Sequence, residues 1–271
     1  MTSGENTKKF DSAVTYSSYL KVDELLQLQS PRSAGPEHDE MLFIIVHQTY
    51  ELWFKCVLHE LSRGQQLLEL GDTHAALPVL GRVRTIFKVL VSQVDILETM
   101  TPLQFNSFRD RLEAASGFQS VQFRELEAVL GRRDASMVDH LEPNSESQRR
   151  VLSAMNRPAL FDSVLIYLTK RNHKMPQEVM RRDFSQSYQA NELVQESLAN
   201  TYRTDPEAAM LLERLIDIDE GLQEWRYRHV KMVERTIGMK HGTGGSSGAA
   251  YLSTTLFKPV FPDLWAVRSH F

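Results

Sequence analysis

The chain has 271 residues, a net charge of −4 and 42% apolar residues, enough to bury the core of one large domain or two modest ones and too apolar for disorder to dominate. Acidic and basic residues are interspersed with no basic block, which speaks against a nucleic-acid partner. The single cysteine, Cys56, rules out an intrachain disulfide, a cysteine-rich zinc or iron–sulfur site and a C-x-x-C-H haem attachment.

The N-terminal stretch "MTSGENTKKFDSAVTYSSYL" is polar and lacks the apolar core of a signal peptide. No apolar run reads as membrane-spanning, so a cytoplasmic protein with no membrane partner is expected. Residues 1–14 read as a loose arm and 15–271 as a single domain. "TYSSYLKVDELLQLQ" predicts a short helix from Lys21, and "SPRSAGPEHDE" a loop. Over 39–70 the residues Phe43, His47, Tyr50, Phe54, Val57 and Leu61 recur in steps of three and four and predict a long helix. Residues 75–99 repeat the pattern with Val83, Phe87, Leu90, Val94 and Leu97. Thr101-Pro102 starts a short helix, and shorter helices follow near 119–131, 147–155 and 158–170. Lys174-Met175-Pro176 breaks the chain before a helical region ending near 202. The last long helix, 205–238, carries Leu211, Leu215, Ile218, Leu222, Trp225, His229, Met232 and Thr236 on one face and closes at Gly238. Strand-type alternation is nearly absent. The expected fold is all-α, a bundle of long antiparallel helices.

His47 and His229 each sit inside an apolar stripe. Two readings stand. Each is a core histidine satisfied locally, or both face one pocket, where one holds haem iron and the other meets a substrate. A non-haem metal on His47, Glu51, His59 and Glu60 fits poorly: H-E-x-x-H is lacking, and His47 and His59 lie about 18 Å apart along a helix. Phe105 and Arg109 share a helix face, which suits a carboxylate clamp but equally an ordinary surface arginine. "KHGTGGSSG", Lys240 to Gly248, has the composition of a phosphate cradle. Yet G-x-x-x-x-G-K-[ST] is not met, Ser247 stands at the third glycine of G-x-G-x-x-G, and a helix precedes in place of a strand. A linker or a loop closing on another ligand remains.

The segments "HDEMLFIIVHQTYELWFKCVLHEL", "LETMTPLQFNSFRDRLEAASGFQSVQFR", "WRYRHVKMVERTIG" and "GTGGSSGAAYL", in order and with matching spacing, resemble the signature segments of the tryptophan 2,3-dioxygenase family. "TYSSYLKVDELLQLQ" resembles its N-terminal segment. The resemblance implies an all-helical homotetramer with non-covalent haem b, which uses O₂ to open the indole C2–C3 bond of L-tryptophan and gives N-formylkynurenine. It implies His229 as the iron ligand and His47 as the catalytic histidine meeting the indole N–H. Phe43 and Phe105 would line the indole pocket, and Arg109 would bind the carboxylate. Thr243 would contact the amino-acid end, with the 240–248 loop as a flap that is mobile without ligand. Ser116 and Gly117 would form a turn beside the haem, and Tyr16, Tyr19 and Leu20 would reach into a neighbouring subunit's pocket. Ser17 departs from the family's usual glycine, and position 105 is Phe where some members have Tyr. The family also has members that insert one oxygen into a tryptophan derivative to give an oxindole, and these motifs are common to both chemistries.

Overall fold

The computed structural model describes residues 13–113, 115–243 and 248–271. The N-terminal arm up to residue 12 and loop residues 244–247 lie outside it. The described residues form helices joined by turns and loops, with no strand among them. Short helices α1 (Tyr16–Leu20) and α2 (Val22–Leu25) come first. The sequence pattern starts this helix at Lys21, but Thr15 caps it earlier, accepting from the Ser18 N–H. Lys21 then takes a left-handed conformation, φ 54°, and divides the two.

Helices α3 (His38–Leu70) and α4 (Thr73–Leu97) form a hairpin. Gly71, at φ 85°, ends α3 in the left-handed region that favours glycine. Asp72 caps α4 through the Ala75 N–H. Next come α5 (Pro102–Arg109), α6 (Val121–Leu130), α7 (Glu146–Met155), α8 (Leu160–Lys170), α9 (Gln177–Met180) and α10 (Glu192–Thr204). The long helix α11 (Pro206–Ile237) is followed by α12 (Ala249–Ser253) and α13 (Pro262–Ala266), two short helices the sequence pattern did not reveal.

Helix α4 packs against both α3 and α11, and α3 also meets α8 and α6. The core between them is apolar at the predicted stripe positions: Val57, Leu61, Val83, Leu90, Leu215 and Leu222 have no exposed surface. At Gly221 a Cβ would lie 3.1 Å from the Phe87 Cβ, so glycine lets α11 approach α4 closely. Fully buried Asp219 then pins the C-terminal segment to α11. One of its oxygens accepts from the Val260 and Phe261 N–H groups and the Trp265 indole, the other from Gln223.

The expectation that no apolar run reaches membrane-spanning length needs correction. By length and composition, His38–Leu70 is long and apolar enough. The stripe Tyr50, Phe54, Val57 and Leu61 of this same helix is nevertheless buried in the bundle. Met41, Ile45 and Leu52 on α3 remain exposed.

Candidate active site

A cavity of about 1590 Å³, counted out to its open mouth, lies between α3, α5, α6 and α11. Phe43, His47, Phe105, Arg109, Ser116, Gly117, His229 and Thr243 all line it. The fold thus brings together eight of the eleven residues the sequence nominates. Tyr16, Tyr19 and Leu20 do not line it. They sit on α1 with exposed side chains, and the expectation for them concerns a second copy of the chain.

The two histidines enter from different helices. The His47 Nδ1 lies 2.7 Å from the Phe43 carbonyl one turn back. A carbonyl only accepts, so Nδ1 carries the proton and Nε2 keeps its lone pair. Burial lowers the His47 pKa, against smaller raising effects of the Phe43 carbonyl and Glu51. Its ring packs on Phe43, centres 4.1 Å apart.

His229 is half-buried by accessible surface because an edge opens on the cavity; protein encloses the rest. Burial pushes its pKa down to about 4, and the nearby His47 adds to the effect. Among the described residues its ring nitrogens have no hydrogen-bond partner. A neutral imidazole with a free lone pair facing a largely apolar cavity is a good iron ligand.

Phe43, Phe105 and Phe108 form an aromatic corner beside His47, with ring centres 5.5–5.8 Å apart. Arg109, the last residue of α5, stands next to it. Its Nη2 donates to the His241 carbonyl at 2.6 Å, leaving further N–H donors for a ligand. Thr243 donates its hydroxyl to the Ala115 carbonyl, also at 2.6 Å. The described part of the glycine loop is thus fastened to the end of α5 and the segment after it. Residues 244–247 of the 240–248 loop, expected to be a flap mobile without ligand, lie outside the described residues. Ser116 caps the turn Gly117–Gln119 by accepting from the Phe118 N–H. A Cβ at Gly117 would meet no atom within 4 Å. The rival metal residues are otherwise engaged: Glu51 accepts from Gln122 and Glu60 pairs with Arg82.

The motifs did not reveal a buried charge cluster on the cavity wall. Glu127, 1% exposed, accepts from Arg124 at 2.6 Å, Arg226 at 3.1 Å and Arg132. Burial tends to raise its pKa, but Arg132, Arg124 and Arg226 outweigh that and hold it below the ordinary carboxylate value. The three guanidiniums outnumber this one carboxylate, and the fully buried Asp219 adds its charge near Arg226. The Arg124 Nε has no partner among the described residues, and its guanidinium lies 4.6 Å from the Phe118 ring centre. A cationic wall of this kind suits anionic groups. The donor set therefore fits haem: one free imidazole for iron, apolar and aromatic walls for the macrocycle, and a cationic wall for its carboxylates.

Comparison with known proteins adds an independent finding. The family model described as tryptophan 2,3-dioxygenase matches residues 1–160 and 200–271. A tryptophan 2,3-dioxygenase of Herpetosiphon aurantiacus is 57% identical, over 95% of this chain and 98% of its own. That of Anaeromyxobacter sp. is 58% identical over 95% and 96%, and that of Caulobacter vibrioides 43% identical over 94% and 98%. With a cavity built from the motif residues and relatives matched along nearly their whole length, the chain belongs to the tryptophan 2,3-dioxygenase family.

Proposed function

We propose that the protein is a haem-dependent dioxygenase that opens the indole C2–C3 bond of L-tryptophan with O₂ to give N-formylkynurenine. The observation that carries this reading is the pairing of His47 and His229 in one cavity, each with a nitrogen lone pair to offer.

His229 would hold the iron, with Arg124, Arg132 and Arg226 near the carboxylates and Ser116–Gly117 beside the macrocycle. When bound, haem supplies the activation of O₂, while the protein binds and orients. The His47 Nε2 accepts the indole N–H, because Nδ1 is committed to the Phe43 carbonyl. Phe43 and Phe105 form the wall against which the flat ring packs, and they exclude water. Arg109 takes the carboxylate, since a buried carboxylate needs a charged partner. Thr243 sits at the amino-acid end. The same Arg109 also holds the His241 carbonyl, which ties the glycine loop to the arginine that takes the carboxylate. Tyr16 and Tyr19, 77% and 76% exposed, and Leu20 suit an arm that packs on another copy, as in a homotetramer.

The test is turnover of reduced enzyme with L-tryptophan under ¹⁸O₂. N-formylkynurenine carrying two labels is expected. A singly labelled oxindole, or no product, would overturn the assignment.

A further inference from the structure

The two cavity histidines are held in different ways. The His47 ring is fixed by a hydrogen bond from Nδ1 to the carbonyl one turn back, that of Phe43. No hydrogen bond from a described residue acts on His229. One turn back from it stands Trp225, whose indole lies against the imidazole with ring centres 5.1 Å apart and planes 22° from parallel. A histidine that ligates a metal usually has its second nitrogen bonded to a carboxylate, a carbonyl or water, and that bond fixes the ring. Here a ring face is held in place of a nitrogen.

The indole is itself clamped. Phe123 of α6 packs on it with ring centres 4.9 Å apart. Tyr50 and Phe54 of α3 meet it edge-on, both at 6.3 Å, with planes at 67° and 88°. Tyr50 in turn donates its hydroxyl to the Leu90 carbonyl of α4 at 2.9 Å. All of these rings and His229 line the same cavity, and Trp225 is buried. A leucine could fill an apolar position of this kind. The indole Nε1 has no hydrogen-bond partner among the described residues, so no polar contact calls for tryptophan, and a buried N–H left unpaired is costly. What tryptophan supplies is a broad, rigid face nearly parallel to the imidazole.

We propose that Trp225 is a positioning residue for His229: its indole, clamped by Tyr50, Phe54 and Phe123, sets the plane of the imidazole before the cofactor enters. An imidazole free to turn about its side-chain bonds would present its lone pair in many directions. Only the fraction in the productive one would bind, and affinity would fall by that fraction. The inference rests on the reading of His229 as the haem ligand.

The test is resonance Raman spectroscopy of the deoxygenated ferrous holoenzyme, reading the iron–histidine stretching band, together with the rate of haem transfer to excess apomyoglobin. Trp225→Leu should shift and broaden the band and speed haem loss about two- to tenfold, the worth of one aromatic pair. Trp225→Phe keeps a ring against the imidazole and should fall between Trp225→Leu and the wild type. Phe161→Leu is the control: Phe161 is 1% exposed and packs on Tyr188 and Phe261, away from the cavity. It should cost stability and leave both the band and the rate as in the wild type. A band and rate unchanged in Trp225→Leu (in Trp225→Phe, should the leucine variant not fold), or matched by the changes in Phe161→Leu, would overturn the role of Trp225 alone. A band that persists in His229→Ala would overturn the ligand assignment on which that role rests.

Discussion

The indole of Trp225 stacks on the imidazole of His229, ring centres 5.1 Å apart and planes 22° from parallel. The two residues are one turn apart on α11, so the helix itself sets the stack. With no hydrogen bond to either ring nitrogen among the described residues, the stack and the cavity walls are what orient the proposed iron ligand. His229→Ala removes the only free imidazole lone pair on that wall. The purified variant is expected to lack haem while keeping its helical circular dichroism. A full haem complement with an unchanged ferrous spectrum would remove His229 from the ligand role.

Arg109 holds the His241 carbonyl and, as the proposed clamp, would also hold the substrate carboxylate. Arg109→Ala should lose about 1.5–3 kcal/mol of substrate binding, roughly ten- to a hundredfold in KM. Arg109→Lys should recover only part of this, because an ammonium cannot grip a carboxylate in two prongs. Steady-state kinetics on both variants decide it; unchanged KM and kcat in Arg109→Ala would exclude the clamp.

The proposed contact of His47 with the indole N–H would use Nε2, because the Phe43 carbonyl fixes the proton on Nδ1. His47→Ala should therefore lower kcat/KM by about tenfold or more, the worth of a buried hydrogen bond and its packing, while haem content stays normal. A tryptophan analogue methylated at the indole nitrogen cannot donate to His47. Its turnover should be poor in the wild type and little affected by the substitution. Equal sensitivity of both substrates to His47→Ala would show that the indole N–H is not the contact.

The long helices α3, α4 and α11 were legible because their apolar residues recur at helical spacing, and the same stripes displayed His47 and His229 as intruders. What spacing alone left open was whether the two face each other, since that depends on α3 and α11 enclosing one cavity. The cluster around Glu127 was not legible. Arg124 and Glu127, three apart on a helix, look in sequence like an exposed ion pair, and Arg226 is one of several charges in "EWRYRHVK". Only tertiary packing, which sets α6 against α3 and α7, buries them. The break at Lys21 and the short helices α12 and α13 were likewise hidden, because four or five residues are too few for a period to show.

Asp205 anchors the start of α11, the helix that carries His229. Its carboxylate accepts from Arg171 Nε and Nη2 at 2.6 and 2.8 Å, from His173 at 3.2 Å and from the Ala208 N–H. Arg171 is the main cause holding its pKa well below the ordinary value; burial opposes this, and Ala208 and His173 assist. A carboxyl whose folded pKa is depressed contributes stability above its unfolded pKa, about 3.9, and loses it as the pH falls further. Asp205→Asn should thus cost about 1–3 kcal/mol at neutral pH. The gap from wild type should shrink below about pH 4. Urea unfolding at pH 7 and pH 3 measures both; a gap independent of pH would mean that the carboxylate charge contributes nothing.

The two ends of the glycine loop touch at Gly248. Its backbone stands at φ 59°, ψ −129°, a region essentially open to glycine alone. A Cβ there would come within 2.7 Å of the Lys240 carbonyl oxygen, a backbone atom with little freedom to retreat. Gly248→Ala should therefore force the loop ends apart at a cost of about 1–3 kcal/mol. That would displace Thr243 from its bond to the Ala115 carbonyl and His241 from Arg109. If the loop closes over the amino-acid end of the substrate, KM rises severalfold while haem content and the ferrous spectrum stay as in the wild type. Gly81→Ala is the matched control: it lies within α4, a Cβ there meets nothing within 4 Å, and alanine in a helix is favourable. A KM unchanged in Gly248→Ala, or changed equally in Gly81→Ala, would dissociate the loop from substrate binding.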